Sequence, residues 1–232
     1  MIPDPDDANL SRPDPPREPL SVVEARVLGC LIEKELATPD LYPLTLNALV
    51  NACNQRNNRD PVMAVTARDV EIALEQLRHR QLVTHFSGAD ARVAKFKQKL
   101  DAVHVVDTTE RALLGELMLR GPQTTGGLRG NAERLHPMPP VAELEMLLEA
   151  LGQRPADPLV KKLPRQPGQK EPRWAQLLTG EPVVATEAAP SAEPLTVTVN
   201  LHPEAERRIS VLEAEVKQLR AELARLRQSL GE

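Results

Sequence analysis

Aromatic residues are scarce: Trp174, Tyr42, Phe86 and Phe96 are the complete set, 2% of 232 residues. Any core must therefore be built from Leu, Val, Ile and Ala, and such cores favour helices. Cysteine is scarcer still. Cys30 and Cys53 stand apart from any Cys-x-x-Cys or Cys/His cluster, which excludes a zinc-ribbon framework and reads as two buried free thiols in a reducing cytoplasm. No run approaches the roughly 18 apolar residues of a membrane span, and no basic region followed by an apolar stretch opens the chain. A cytoplasmic protein without membrane contact is expected. Positive charge is not in excess either: the formal net charge of -4 excludes a generally basic coat and leaves room only for local basic patches.

What is present is a repeated order of elements. Residues 1–20 hold six prolines and five acidic residues, and are expected to form an extended tail with little to bury. Ser21, with Glu24 completing a capping box, opens a helix from Val22 to Leu36 in which Val23, Val27, Leu28, Leu31 and Ile32 recur at helical spacing. A second helix is predicted from Leu44 to Asn54. The Asn-rich turn before Pro61 ends it, and Thr66 with Asp69 caps a third, whose inner face is Val70, Ala73, Leu74 and Leu77. Leu82–Phe86 and Arg92–Lys97 alternate as strands of a hairpin, with Phe86 and Phe96 expected to pair across it.

After a connector at 99–107 the order returns. Thr108 or Thr109 caps a helix to Arg120, Thr124 opens a short helix to Leu135, Val141–Leu151 is a third, and Leu159–Leu163 with Pro172–Leu177 form a second hairpin. The letters repeat as well as the order. Glu24–Leu31 aligns with Glu110–Leu117, Thr45-x-x-x-Leu49 with Thr124-x-x-x-Leu128, Leu74-Glu75-x-Leu77 with Leu148-Glu149-x-Leu151, and Leu82-Val83 with Leu159-Val160. Duplication explains four matches in one order.

The fold expected is mainly α with small β-hairpins: two tandem winged-helix domains over 21–100 and 101–178, a flexible linker over 179–203 and a coiled-coil helix over 204–230. Ile209, Leu212, Val216, Leu219, Leu223, Leu226 and Leu230 follow a strict heptad spacing, so this seam predicts self-association, most simply as a homodimer.

No catalytic constellation is found. The five histidines are dispersed, no pair has the i, i+4 spacing of a helical metal site, and the serines lie in no nucleophile elbow. No enzyme activity, cofactor, metal or small-molecule substrate is expected. Charge distribution points elsewhere: Asn54–Lys99 carries nine Arg and Lys against five Asp and Glu. Arg68, Arg92, Lys95 and Lys97 are the candidate nucleic-acid contacts, through phosphate. The second hairpin is locally basic too, with Arg154, Lys161, Lys162, Arg165, Lys170 and Arg173. Against groove insertion stand the acidic third helices, with Asp69, Glu71 and Glu75 in one and Glu143, Glu145 and Glu149 in the other. The hairpin lysines are equally explained as guards against edge-strand pairing. Double-stranded DNA and another protein both stay open as partners. The amides around the second helix, from Asn47 to Asn58, are expected to tie down the turn that follows.

Tyr42-Pro-Leu-Thr-Leu-Asn-Ala-Leu-Val-Asn-Ala-Cys-Asn-Gln55 and Asn58-Arg-Asp-Pro-Val62, with the later Gly121-Pro-Gln-Thr124 and Leu163-Pro-Arg-Gln-Pro-Gly-Gln-Lys-Glu171, resemble motifs of the bacterial YceH family of uncharacterised proteins. The resemblance covers about residues 20–178 and implies tandem winged-helix domains with a C-terminal coiled-coil tail. It brings no catalytic or binding residues. Gly127 and Trp174 depart from the family's usual acidic residue and tyrosine.

Overall fold

Residues 18–86 and 93–182 are described by a computed structural model, and its first helix begins where the capping box predicts. The Ser21 side chain accepts from the Glu24 N–H at 3.2 Å, and the Glu24 carboxylate accepts from the Ser21 N–H at 2.7 Å. Helix α1 (Val22–Ala37) is buried around its whole circumference from Glu24 to Glu33. A helix buried on all sides must be central. After a 3₁₀ turn at Pro39–Leu41, the predicted second helix gives up its first turn to a two-residue strand, β1 (Leu44–Thr45). Thr45 then caps α2 (Leu46–Cys53) by accepting from the Ala48 N–H. Asn54 clamps the following turn, its amide donating to the Val65 carbonyl and its carbonyl accepting from the Val65 N–H, both at 2.8 Å. Thr66 and Asp69 form the expected capping box of α3 (Ala67–His79).

β2 (Val83–Phe86) and β3 (Lys95–Gln98) follow, and the sheet order is β1-β3-β2, all antiparallel. The expected pairing of Phe86 with Phe96 does not occur. Phe86 lies opposite Lys95, and Phe96 lies opposite His85, whose ring meets it edge-on at 4.8 Å. Facing residues of an antiparallel pair share a side of the sheet, so this register puts the two phenylalanines on opposite faces.

The expected connector at 99–107 contains a helix of one turn, α4 (Leu100–Val103), anchored by fully buried Leu100. Helix α5 (Thr108–Arg120) is capped by Asp107 with Glu110, not by Thr108 or Thr109: a carboxylate one residue earlier accepts from the Glu110 N–H at 2.8 Å. Thr124 caps α6 (Thr125–Ala132), α7 (Val141–Gly152) follows, and β4 (Val160–Leu163) pairs with β5 (Arg173–Gln176). The described part is thus mainly helical with two small antiparallel sheets. The aligned letters occupy equivalent places. Thr45 and Thr124 are both N-caps of eight-residue helices, Leu49 and Leu128 are both fully buried, and Val83 and Val160 both begin a strand.

The two copies meet through α1 and α5, the most extensively packed pair of helices. A Cβ on Gly29 would stand 3.1 Å from Met118 and Leu119, and one on Gly115 would stand 2.8 Å from Ile32. In the register that aligns Glu24 with Glu110, Gly29 corresponds to Gly115 and Ile32 to Met118, so the contacts are reciprocal. Each copy's glycine receives the other copy's bulky side chain, as about a local two-fold axis.

Beside this contact lies a chain of ion pairs. Arg59, its side chain 0% exposed, donates to both oxygens of Glu33 at 3.1 and 2.5 Å and to the Ala52 carbonyl. Arg134 bridges Glu33 at 2.7 Å and Glu116 at 2.8 Å, joining the first copy to the second. Asp60 adds a backbone bond to the Leu119 carbonyl at 2.9 Å. The end of the expected tail is also tied down: Leu20 is buried, and its N–H donates to the Leu178 carbonyl at 2.7 Å. Residues 1–17, the hairpin turn 87–92 with Arg92, and 183–232, with most of the linker and the whole heptad seam from Ile209 to Leu230, lie outside the described residues.

Candidate nucleic-acid interface

The first sheet has a core side and an outer side. Leu44, Val83, Phe96 and Gln98 are buried on the core side, and alternation puts Thr45, Thr84, Phe86, Lys95 and Lys97 on the other. The register therefore brings Lys95 and Lys97 onto one face, two of the residues expected from the sequence. Among the described residues neither lysine has a carboxylate within ion-pair distance. The Lys97 ammonium instead stands 4.9 Å from the centroid of the Phe86 ring. Phe86 remains 42% exposed, so this face presents two cations beside an accessible aromatic ring.

Arg68 sits in the first turn of α3, 79% exposed at its side chain, with Glu71 at 3.8 Å on the same helix. An exposed pair of this kind contributes little and leaves the guanidinium available. The outer face of α3 is otherwise as acidic as its sequence, with Asp69, Glu71 and Glu75 all exposed. At its C-terminal end Arg78 acts on His85: burial, then the Arg78 charge, hold the imidazole below its ordinary value.

The second hairpin differs from the expectation of a basic wing. Lys162 pairs with Glu145 and, at 3.6 Å, with Glu149, both on α7, and stands 5.3 Å from the Trp174 ring. Lys161 pairs with Glu181 at 2.5 Å, and Arg154 with Glu110 at 2.8 Å. Burial works against the Glu145 charge, but bonds from Lys162, Thr125 and Trp174 hold its carboxyl below the usual range. Only Arg165, Lys170 and Arg173 of the six cations are without a carboxylate partner among the described residues. The carboxylates that made α7 a poor groove reader also neutralise the strand packed against it.

Phe86 is the candidate that the sequence does not single out, since there it is expected only to pair with Phe96; the register that sets it opposite Lys95 separates the two. The amides from Asn47 to Asn58 divide. Asn54 clamps Val65, Gln55 accepts from Arg59 at 3.1 Å, and Asn58 accepts from Arg120 at 3.1 Å, while Asn47, Asn51 and Asn57 are exposed. A cavity of about 1130 Å³ lies where α3, α4 and the segment after α7 meet. Within its lining Arg80 pairs with Glu18 at 3.7 Å, and His104 Nδ1 meets the Asp157 carboxylate at 2.5 Å. Among the described residues no three His, Cys, Asp or Glu side chains converge to hold a metal ion, and no helix is long and apolar enough to cross a membrane.

The described residues define a mainly helical protein with two small antiparallel sheets. The chain belongs to the DUF480 family of proteins of unknown function, whose model matches residues 20–169. It is 52% identical to a UPF0502 protein of Geotalea daltonii over 175 residues, 75% of this chain and 79% of that one. It is 45% identical to a UPF0502 protein of Acidovorax sp. over 216 residues, 92% of this chain and 95% of that one. These relatives are uncharacterised bacterial proteins, as the resemblance in the sequence motifs implies.

Proposed function

We propose that this is a non-enzymatic, DNA-associated regulatory protein of the cytoplasm, built from tandem winged-helix modules over 21–100 and 101–178, in which the first hairpin contacts phosphate. The observation that carries the reading is the outer face of the first sheet. Lys95 and Lys97 project from one side of a strand and, among the described residues, have no carboxylate within ion-pair distance, whereas Lys161 and Lys162 of the second hairpin are paired. Cations so placed bind phosphate by releasing its counterions, without reading sequence. Arg68 and Arg92 extend the contact, and the heptad helix over 204–230 doubles it by pairing two copies. The test is a fluorescence-anisotropy titration of labelled DNA, duplex and single-stranded, at low salt. Binding that collapses in Lys95→Glu/Lys97→Glu supports the reading, and the absence of binding to any DNA refutes it.

A second reading, a protein-interaction adaptor, is favoured by α7, whose outer face exposes Met146 (61%) and Val141 beside Glu143 and Glu149. Capture from nuclease-treated extract tests it. Loss of a stoichiometric protein partner on Met146→Glu supports that reading, and recovery of nucleic acid alone refutes it.

A further inference from the structure

We infer that the outer face of the first sheet binds single-stranded nucleic acid, with Phe86 as a stacking platform for an unpaired base and Lys95 and Lys97 on the flanking phosphates. This rests on the phosphate-binding reading of the same hairpin and specifies its ligand. Three observations carry it. The first is an exposed aromatic on a sheet face: phenylalanine is apolar enough that the core normally takes it, yet β2 turns its terminal ring outward while Phe96, across the hairpin, goes in. The second is the arrangement around the ring. Lys95 faces Phe86 across the ladder and the Lys97 ammonium stands over the ring at 4.9 Å, so a base stacking on that face displaces the ammonium towards its own phosphate. Thr84 and Thr45 complete the face with hydroxyls and carry no charge.

The third observation discriminates against the duplex. A helix entering the major groove runs between two phosphate strands, and α3 presents Asp69, Glu71 and Glu75 to solvent, with Glu71 already drawn to Arg68. In a duplex the base faces are stacked on one another and closed to Phe86. A single strand offers both things this face is built to take, a free π-face and a phosphate on either side of it.

The experiment titrates the full-length protein into labelled oligo-dT, oligo-rU and a mixed-sequence duplex, each of about 12 units, by anisotropy over a range of salt. Tighter binding of either single strand than of the duplex, by about tenfold or more, is expected, and the dT and rU arms identify DNA or RNA as the source. Phe86→Ala is expected to weaken single-strand binding by about 5- to 150-fold, the equivalent of one lost base stack. Phe86→Tyr, which keeps the ring, is expected to restore it. Lys95→Gln/Lys97→Gln is expected to lower the salt slope for the single strand by about 1.4, from two lost phosphate contacts. Equal or tighter binding of the duplex, or single-strand binding unmoved by Phe86→Ala, overturns this inference while leaving phosphate binding by the hairpin standing. No binding in any arm overturns both.

Discussion

Replacing Gly115 by alanine inserts one methyl group at the tightest point between α1 and α5. The new Cβ would stand 2.8 Å from Cγ2 of Ile32 and 3.3 Å from its Cβ, against the roughly 3.5–4.0 Å of a relaxed carbon contact. Ile32 is fully buried, so it has no free direction in which to swing. Overpacking of this kind costs about 1–3 kcal/mol. Opposing it is the helix-propensity gain of Gly→Ala, about 1 kcal/mol in a helix interior. The propensity term is isolated by Gly130→Ala in α6, where a new Cβ would meet nothing within 4 Å. Gly130→Ala is therefore expected to stabilise by up to about 1 kcal/mol, and Gly115→Ala to fall below it by about 1–3 kcal/mol. Urea unfolding of both variants beside the parent measures the difference, and thermal midpoints separated by about 2–4 °C per kcal/mol provide a second reading. Ile32→Ala should be less damaging on Gly115→Ala than on the parent, because it then relieves a clash. If Gly115→Ala proves as stabilising as Gly130→Ala, the reciprocal glycine contact has been misread.

Glu33→Gln leaves Arg59 charged, fully buried and deprived of its carboxylate, so a loss of roughly 3–5 kcal/mol is expected in urea unfolding at neutral pH. Burial resists the Glu33 charge, yet Arg59 holds its carboxyl below the ordinary value. The stability this contributes is complete above the unfolded-state pKa and disappears as pH falls through the lower folded-state value. Unfolding across a pH series should show a shallower acid limb in Glu33→Gln; an unchanged limb would contradict the assignment. Glu116 has the opposite sign, since burial outweighs Arg134 and raises its carboxyl, so its ionisation costs stability as pH rises through the raised value. Asp107→Ala should cost about 1 kcal/mol of stability while Thr108→Ala costs much less, and equal effects in denaturation would put the cap back on the threonine. Cys30 and Cys53 are buried, and the hydrogen bond with neighbouring Cys30, then burial, pushes the Cys53 thiol up. Alkylation of both thiols is expected only at the rate of unfolding, and rapid labelling of the native protein would show that α1 and α2 open locally.

Local chemistry was the legible part of the fold. Ser21 with Glu24, Thr66 with Asp69, and Thr124 each act across a single turn, so residue type and spacing are enough to place them. The misreadings arise where a distant partner decides. Leu44 and Thr45 form a strand because β3 returns to pair with them, which periodicity around residue 44 cannot contain. Phe86 turns outward because the pairing of β2 with β3 sets it opposite Lys95 and not opposite Phe96. At the candidate site, Lys95 and Lys97 were found by counting charge and did fall on one face. Counting failed for the second hairpin, because Lys162 is neutralised by carboxylates on a helix that the fold, not the chain, lays beside it. Asp107 was a local miss: the threonines after it are good caps, and the better acceptor simply came first.

The reciprocal glycine contact also bears on how the two halves diverged. A self-complementary surface normally obliges both partners to stay alike, since every change appears on both sides of the axis. Here the partner is carried on the same polypeptide, at a local concentration no dilution can reduce. Each half can therefore mutate alone while its counterpart preserves the joint, and among the described residues one hairpin's lysines lack the glutamate partners that the other's have. With Gly29 and Gly115 already occupied by Met118 and Ile32, that surface is saturated within one molecule. Any association between molecules has to use a different one.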